Sequence, residues 1–198
     1  MNNPLRNILI AAFILLALFI ITSKKENATF TKSNSIFSSN KTDISKIMIQ
    51  QGQNSIQINK IDTTWHIAGN DTLVIRQNRI EDLFGKVLDV KRTTIRSKKE
   101  SNWINYSVDD STGTHLALIN TEDKTIGYYI FGRSKTDWAH NFVRIRIGEN
   151  LSEDVLKNVY ETSESVIHHL NTSTTYWGEK NPVIELESIK SDSLGVGA

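Results

Sequence analysis

The stretch 44-ISKIMIQQGQNSIQINKIDTTWHI-67 decides the fold of this 198-residue chain. Apolar and polar residues alternate over 44–50 and again over 55–59, and a glycine-containing turn separates the two runs. Alternation with a period of two is typical of strands that bury one face. A second turn at Asp62 leads into a third short run at 64–67. The sequence therefore predicts an antiparallel meander of three strands.

An amphipathic helix is predicted after this meander. The apolar residues at positions 80, 83, 84, 87 and 88 have the spacing of one helical face. Asn78 suits the N-cap, and Glu81 three residues later resembles the second half of a capping box. Gly85 inside this helix costs roughly 1 kcal/mol relative to alanine, so a close packing contact is the expected reason for it. The helix is expected to lie across one face of the sheet.

The middle of the chain predicts further strands. Lys91–Arg96 has the pattern of an edge strand, whose basic residues would deter pairing with another chain. The segment 98–110 is expected to be irregular or briefly helical. Three more strands are predicted over 116–119, 126–131 and 142–147. Together these strands form a second meander.

A final helix is predicted after Ser152. Glu153 and Asp154 suit its first turn, where carboxylates interact favourably with the helix dipole. Val159 and Tyr160 belong to its apolar face, and Trp177 is the last large apolar anchor. The predicted fold class is therefore α+β, with antiparallel β-meanders and one or two packed helices.

The N-terminal residues 8–21, ILIAAFILLALFII, are apolar and uncharged. A helix over them rises about 21 Å, and Leu5–Ser23 extends it toward the roughly 30 Å of a bilayer core. We interpret residues 1–22 as a single N-terminal transmembrane anchor, with a cleaved signal sequence as the alternative. The residues around Thr22 form a poor cleavage site, which favours the anchor. Because a short tail precedes a long domain, we expect the tail in the cytoplasm and the domain exported.

Composition divides the remainder into three parts. Residues 23–43 are polar and lack periodicity, which predicts a flexible stalk. Residues 44–178 are predicted to form the extracytoplasmic domain. Residues 179–198 are expected to be a mobile tail.

Charge and cysteine content exclude several classes of protein. Of the 23 Lys and Arg residues only Arg6 precedes residue 23, so 22 remain against 22 Asp and Glu. This balance provides no basic surface for nucleic acid. The absence of cysteine excludes disulfides, thiolate metal sites and cysteine nucleophiles. The sequence also has no phosphate-binding glycine loop, nucleotide fingerprint or Gly-x-Ser-x-Gly elbow, so neither a cofactor nor catalysis is predicted.

The loop between the last two predicted strands has the most varied chemistry. Trp138, His140 and Asn141 bring an aromatic ring, an imidazole and an amide together, as in many ligand and partner sites. Arg144 and Arg146 alternate with apolar residues, which places them on the polar face of the next strand. These five residues are the predicted binding site. The alternative is a structural loop whose Trp138 packs on the sheet, with Arg144 as a solvated cross-strand charge partner.

Three other histidines were natural candidates for metal binding. His168 and His169 are adjacent, so on a helix their side chains point about 100° apart. Glu164 and His168 share a helical face, but a site needs more ligands, and no HExxH-type spacing is present. His66 lies opposite Trp65 on a strand and is predicted to be exposed. No metal site is predicted.

Several local motifs occur in a recognisable order after the apolar N-terminus. They are the meander with Trp65 near its end, the helix at Arg79–Asp89, Tyr106-Ser107-Val108-Asp109, Ile130-Phe131-Gly132 and Phe142-Val143-Arg144. In this order the chain resembles, over about 44–170, the bacterial envelope family catalogued as domain of unknown function 4340. Two positions depart from the family pattern: Ser107 replaces the usual glycine, and Phe131 is inserted before Gly132. Arg144 matches the family's arginine.

The resemblance implies an accessory role in the bacterial envelope, beside transport or gliding-type membrane complexes. With the anchor, it predicts a non-catalytic, single-pass inner-membrane protein whose periplasmic domain binds a membrane protein partner. The alternative is a periplasmic binder of a small molecule or glycan that uses Trp138, His140 and Arg144, and a hydrolase comes third. A pocket of several hundred cubic ångströms at the loop would favour the binder. A flat surface or an exposed sheet edge would favour the interaction module.

Overall fold

The computed structural model describes residues 30–37, 39–148 and 151–181. Within these residues, nine strands form one antiparallel sheet and two short strands form a second. The strands are β1 Phe30–Ser35, β2 Ile44–Gln51, β3 Asn54–Ile61, β4 Thr64–Ile67, β5 Leu73–Ile75, β6 Lys91–Ser97, β7 Thr114–Asn120, β8 Thr125–Arg133, β9 Asn141–Ile147, β10 Val159–Thr162 and β11 Gly178–Lys180. The large sheet has the order β1-β6-β10-β9-β8-β7-β2-β3-β4, and β11 pairs with β5.

The helices of the described residues are short. They are α1 Gln77–Asp82, which continues directly into a π-helical turn at Leu83–Val87, α2 Glu153–Lys157 and α3 Thr174–Trp177. Three 3₁₀ helices lie at Lys41–Asp43, Glu100–Tyr106 and Ile167–His169. The protein is thus mostly antiparallel sheet with few helices, which agrees with the predicted α+β class.

The first meander has the three predicted strands. Ile49 lies opposite Ile56, and Ile47 lies opposite Ile58, so the apolar residues of β2 and β3 share one buried face. Trp65 on β4 is buried and His66 is exposed, as the alternation predicted. Because β2 also pairs with β7, the two meanders belong to one sheet.

The helix after the meander buries its predicted stripe, but two details of the prediction were wrong. The helix begins at Gln77 with Arg76 as its N-cap, so Asn78 lies inside the first turn and no capping box forms. A Cβ placed on exposed Gly85 would meet no atom within 4 Å, so no close contact explains this glycine. Gly85 instead belongs to the π-helical turn, which is closed by a hydrogen bond from Leu88 N to Leu83 O of 3.0 Å.

Strand β6 is not an edge strand. It pairs with β1 on one side and with β10 on the other. The prediction failed because both partners were assigned otherwise, β1 to the stalk and β10 to the final helix. Helix α2 ends at Lys157 because Asn158 is extended, with φ −78° and ψ 147°, and Val159 and Tyr160 therefore enter the sheet.

The described part of the expected stalk belongs to the domain. Strand β1 pairs with β6, Ile36 donates its N–H to Val90 O at 3.0 Å, and Ile36 and Phe37 are buried. At the other end, Glu179 and Lys180 pair with β5, so the expected tail does not begin at residue 179. Residues 23–29 of the expected stalk and residues 182–198 of the expected tail lie outside the described residues.

The main core lies on the face of the sheet that α1 covers. Leu83, Val87 and Leu88 are fully buried there against the apolar residues of β2, β3, β7 and β8. Trp177 is also fully buried, and its indole N–H donates to Asn171 O at 2.6 Å, which confirms it as an anchor in the core.

The opposite face of the sheet is partly covered by the segment 98–113. Val108 packs with Ile130 of β8 and Val159 of β10 in a second, small apolar cluster. A Cβ at Gly132 would lie 1.9 Å from Tyr106 O, so only glycine allows this segment to approach β8 so closely. The segment then turns at Ser107, whose φ of 52° is left-handed, a conformation that favours glycine.

The expected anchor Leu5–Ser23 lies outside the described residues. Among the helices of 30–37, 39–148 and 151–181, none is both long and apolar enough to cross a membrane.

Candidate functional site

The five residues of the predicted site divide between two places along β9. Trp138 and His140 lie in the loop before the strand and Asn141 is its first residue, whereas Arg144 and Arg146 lie in its second half. At about 3.3 Å per residue, Asn141 and Arg146 are roughly 17 Å apart, so a single small site does not contain all five.

The loop that joins β8 to β9 borders a small cavity of about 150 Å³. Its walls come from 133–141 and from the segment 165–168. The Trp138 side chain is 82% exposed, so the interpretation in which it packs on the sheet is wrong. Trp138 is thus a largely solvent-exposed member of the cavity wall.

Local hydrogen bonds shape this loop around Asp137. Ser134 Oγ accepts from Asp137 N at 2.9 Å, and Asp137 Oδ1 accepts from Ala139 N at 2.8 Å. His140 Nδ1 lies 2.6 Å from Asp137 Oδ2 and donates to it. The hydrogen bond from His140 lowers the pKa of the Asp137 carboxyl. Trp138 therefore lies in a turn that is stabilised by the hydrogen bond between Asp137 and His140.

Glu161 of β10 joins Asp137 and His140, which sequence reasoning did not foresee. One ligand-type atom from each of these residues lies within 4.8 Å of the other two. The Glu161 side chain is only 12% exposed and forms an ion pair with Arg96. Because this part of the chain was predicted to be helical, nothing indicated that Glu161 would lie beside a loop more than twenty residues away.

Asn141 is buried and supports the cavity wall. Its side-chain oxygen accepts from Val166 N at 2.6 Å and from Ile167 N at 3.0 Å. Its backbone N–H donates to Thr162 Oγ1 at 2.8 Å. These bonds join the beginning of β9 to β10 and to the segment that follows it. The amide oxygen of Asn141 therefore has a structural role and already accepts two hydrogen bonds.

Arg144 is buried instead of lying on a solvated face. Its Nε donates to Val108 O at 2.9 Å and its Nη2 donates to Asp110 Oδ1 at 2.5 Å. Its guanidinium lies over the Trp103 ring, 3.8 Å from the centroid. The alternation in β9 was correct, but the segment 98–113 covers the face on which Arg144 lies. Arg146, further along, is exposed as predicted.

His115 and Tyr128 extend the polar cluster beside Arg144. His115 Nδ1 lies 2.8 Å from the Tyr128 hydroxyl, and Nε2 lies 3.2 Å from Asp110 O. A carbonyl only accepts, so Nε2 carries the proton and Nδ1 accepts from the hydroxyl. Burial lowers the pKa of His115, which favours this neutral form.

The adjacent histidines near the C-terminus do not diverge as expected. Their ring centroids lie 4.0 Å apart, and both residues belong to a single short 3₁₀ turn. His168 is exposed and borders the loop cavity, whereas His169 is buried.

A second, more apolar groove of about 300 Å³ lies between β4 and α1. Trp65, Ile80 and Phe84 form its base, and Lys60 and Glu81 stand at its rim. None of the predicted site residues borders it.

Comparisons of the chain with protein-family models, with curated proteins and with solved structures gave no match. The likeness to the bacterial envelope family therefore stays a prediction from local motifs.

Proposed function

We propose that this protein is a non-catalytic, membrane-anchored interaction module that binds a protein partner through the loop carrying Trp138. The observation that carries the proposal is the 82% exposure of this indole. Tryptophan contributes disproportionately to the affinity of protein interfaces, where it is enriched among the residues that cost most to remove. An exposed tryptophan at a loop tip is thus well placed for insertion into a partner.

The surroundings of Trp138 suit such an interface. Arg133 and His168 are exposed beside the loop and provide polar groups around the central aromatic residue, the usual arrangement of an interface core and rim. The Asp137–His140 hydrogen bond and the buried Asn141 hold the loop from within. A loop that is already ordered loses less conformational entropy on binding.

The alternative of a small-molecule or glycan binder has less support. The loop cavity of about 150 Å³ is smaller than the roughly 300–1,000 Å³ of common ligand pockets. Arg144, which that alternative uses, is committed to Val108 and Asp110 and does not border the cavity. The hydrolase alternative gains no support from the predicted residues, because they do not meet in one place.

The location of the module is part of the proposal. Leu5–Ser23 would span the bacterial inner membrane once, with the described domain in the periplasm. The partner would then be a membrane protein, such as a component of a transport or gliding-type complex. The apolar stretch at 8–21 and the resemblance to envelope proteins support this arrangement.

The test is site-specific photo-crosslinking of full-length protein in its native membrane. A photoreactive amino acid replaces Trp138 in one variant and Ile61 in another, since Ile61 is a comparably exposed apolar residue at 57% on the distant strand β3. We expect a membrane protein to crosslink at position 138 and not at position 61.

Affinity purification with alanine variants completes the test. Trp138→Ala should lose the crosslinked protein from the purified complex, whereas Ile61→Ala should retain it in wild-type amounts. Undiminished recovery with Trp138→Ala, or crosslinks only from position 61, would refute the proposed surface.

A further inference from the structure

Two elements bring three potential metal ligands together near Trp138. Asp137 and His140 come from the β8–β9 loop, and Glu161 comes from β10, and their ligand-type atoms lie within 4.8 Å of one another. The convergence is not a product of sequence proximity, because Glu161 reaches the loop only through the pairing of β10 with β9. We propose that Asp137, His140 and Glu161 bind a divalent transition metal ion, with Zn²⁺ as the best match.

The distances suit zinc after a small adjustment. Zinc bonds to imidazole nitrogen and carboxylate oxygen are about 2.0–2.2 Å long, which places tetrahedral ligand atoms roughly 3.3–3.6 Å apart. His140 Nδ1 and Asp137 Oδ2 are closer, at 2.6 Å, because they share a proton. Their side chains are 38% and 40% exposed, so they have room to separate as the ion replaces that proton.

Charge also favours a cation at this position. The two carboxylates carry two negative charges, and Arg96 offsets one of them through its ion pair with Glu161. A divalent ion would neutralise both carboxylates and release Arg96, whose side chain is 44% exposed and can move into solvent. Arg96 is therefore a competitor of the ion, and its removal should strengthen binding.

The adjoining cavity gives the ion an open coordination position. Asp137 and His140 border the cavity of about 150 Å³, and so does exposed His168. Three protein ligands with a free fourth position is the arrangement of open zinc sites, and here that position would face the cavity that His168 also borders. One nitrogen and two oxygen donors suit Zn²⁺ or Mn²⁺ better than Mg²⁺, which prefers oxygen ligands and retains its waters.

Metal binding would also fix the proposed partner surface more firmly to the sheet. The ion would join both residues that flank the Trp138 turn to the sheet through Glu161. The metal site can be tested independently of the proposed partner, because the affinity for zinc is measured with the protein alone. Failure of either proposal therefore leaves the other intact.

The experiment is calorimetric titration of full-length, tag-free protein in detergent with ZnCl₂, MnCl₂ and MgCl₂. We expect one saturable zinc site, weaker manganese binding and no magnesium binding in the same range. His140→Ala and Glu161→Gln should each weaken zinc binding by at least about tenfold, since each removes one of three ligands. Glu161→Gln keeps the size of this partly buried side chain, so the test still stands if His140→Ala fails to fold.

Two control variants make the result specific. His66→Ala removes an exposed histidine elsewhere on the sheet and should leave zinc affinity unchanged. Arg96→Gln should tighten zinc binding severalfold. The absence of saturable binding, equal weakening by His66→Ala, or unchanged affinity in Glu161→Gln would each overturn the site.

Discussion

The guanidinium of Arg144 lies 3.8 Å from the centroid of the Trp103 ring and donates hydrogen bonds to Val108 O and Asp110. These contacts join β9 to the segment 98–113 across a face of the sheet that would otherwise be open. Arg144 thus performs a structural task that its place in an alternating strand did not indicate. It fastens the segment that carries the second apolar cluster.

Removal of Arg144 should destabilise the protein strongly. The Arg144 side chain is 4% exposed but that of Asp110 is 64% exposed, so the loss of their ion pair leaves the carboxylate in water. The cost comes instead from the Val108 carbonyl, whose lost hydrogen bond is worth about 1–3 kcal/mol, and from the lost ring stack, worth up to about 2 kcal/mol. We expect Arg144→Ala to lower the free energy of unfolding by about 3 kcal/mol, measured by urea titration of the full-length protein in detergent.

Arg146→Ala is the matched control for this prediction. Arg146 lies two residues further along the same strand, but its side chain is 44% exposed and its distance to Asp110 is 3.5 Å. Exposed ion pairs contribute little, so its loss should cost less than about 1 kcal/mol. Equal effects of the two variants would contradict the role of Arg144 in joining β9 to the segment 98–113.

The buried histidines predict a loss of stability in mild acid. Burial lowers the pKa of His115, and burial together with the neighbouring His168 lowers that of His169. The unfolded chain then takes up protons near the ordinary histidine pKa of about 6.5 while the folded chain does not. The stability is therefore full above this pH and falls as the pH is lowered below it.

Urea midpoints between pH 5 and pH 8 test this prediction, with His115→Gln as the variant. The variant should be less stable near neutral pH but should show a shallower decline toward pH 5. Carboxylates affect stability at lower pH than the histidines do. Burial raises the pKa of Asp109, but hydrogen bonds from Ser111 and Thr112 outweigh it and lower that pKa overall. The stability that Asp109 contributes is therefore lost only as the pH falls below about 4. An unchanged slope in His115→Gln would exclude His115 as a source of the effect.

The two meanders were predictable because the alternation and the turns that determine them lie within short segments of the sequence. Alternation in 44–67 determines which side chains of β2 to β4 are buried, and tight turns fix the register between neighbouring strands. Strand β10 lacks such information. Val159 and Tyr160 fit a helical stripe after Ser152 as well as they fit a strand, and only pairing with β6 and β9 decides between the two.

The candidate site was only half predictable for a related reason. Trp138 and His140 could be found because they are close in sequence within a chemically varied loop. Glu161 could not be found, since it reaches the loop through the pairing of β10. Arg144 was misplaced because alternation reports which face a residue occupies, but not whether a distant segment such as 98–113 covers that face.

Gly132 and Gly85 should respond in opposite directions to alanine. A Cβ at Gly132 would lie 1.9 Å from Tyr106 O, and a backbone atom cannot yield without moving the 3₁₀ helix Glu100–Tyr106. We expect Gly132→Ala to destabilise the protein by about 3 kcal/mol or more. Gly85→Ala fills open space in a helical turn and should stabilise it by about 0.5–1 kcal/mol.

Thermal unfolding of the two glycine variants beside wild type is a sufficient measurement. The pair has a built-in control, because both substitutions add the same single methyl group. Destabilisation by both variants would mean that the π-helical turn at Leu83–Val87 itself needs glycine. Tolerance of Gly132→Ala would mean that the segment 98–113 does not pack on β8 as described.

Single cysteines can test the proposed membrane topology, because the chain has no cysteine of its own. Ser101→Cys places a thiol on the exposed side of the 3₁₀ helix Glu100–Tyr106, and Asn3→Cys places one before the apolar stretch. If the domain is periplasmic, a membrane-impermeant maleimide should label Cys at position 101 in cells with a permeabilised outer membrane. Position 3 should react only after the inner membrane is opened. If the labelled position-3 variant has the mass of the whole chain, cleavage after the apolar stretch is excluded. If position 3 is labelled first and position 101 only after the inner membrane is opened, the domain and any partner of Trp138 lie in the cytoplasm.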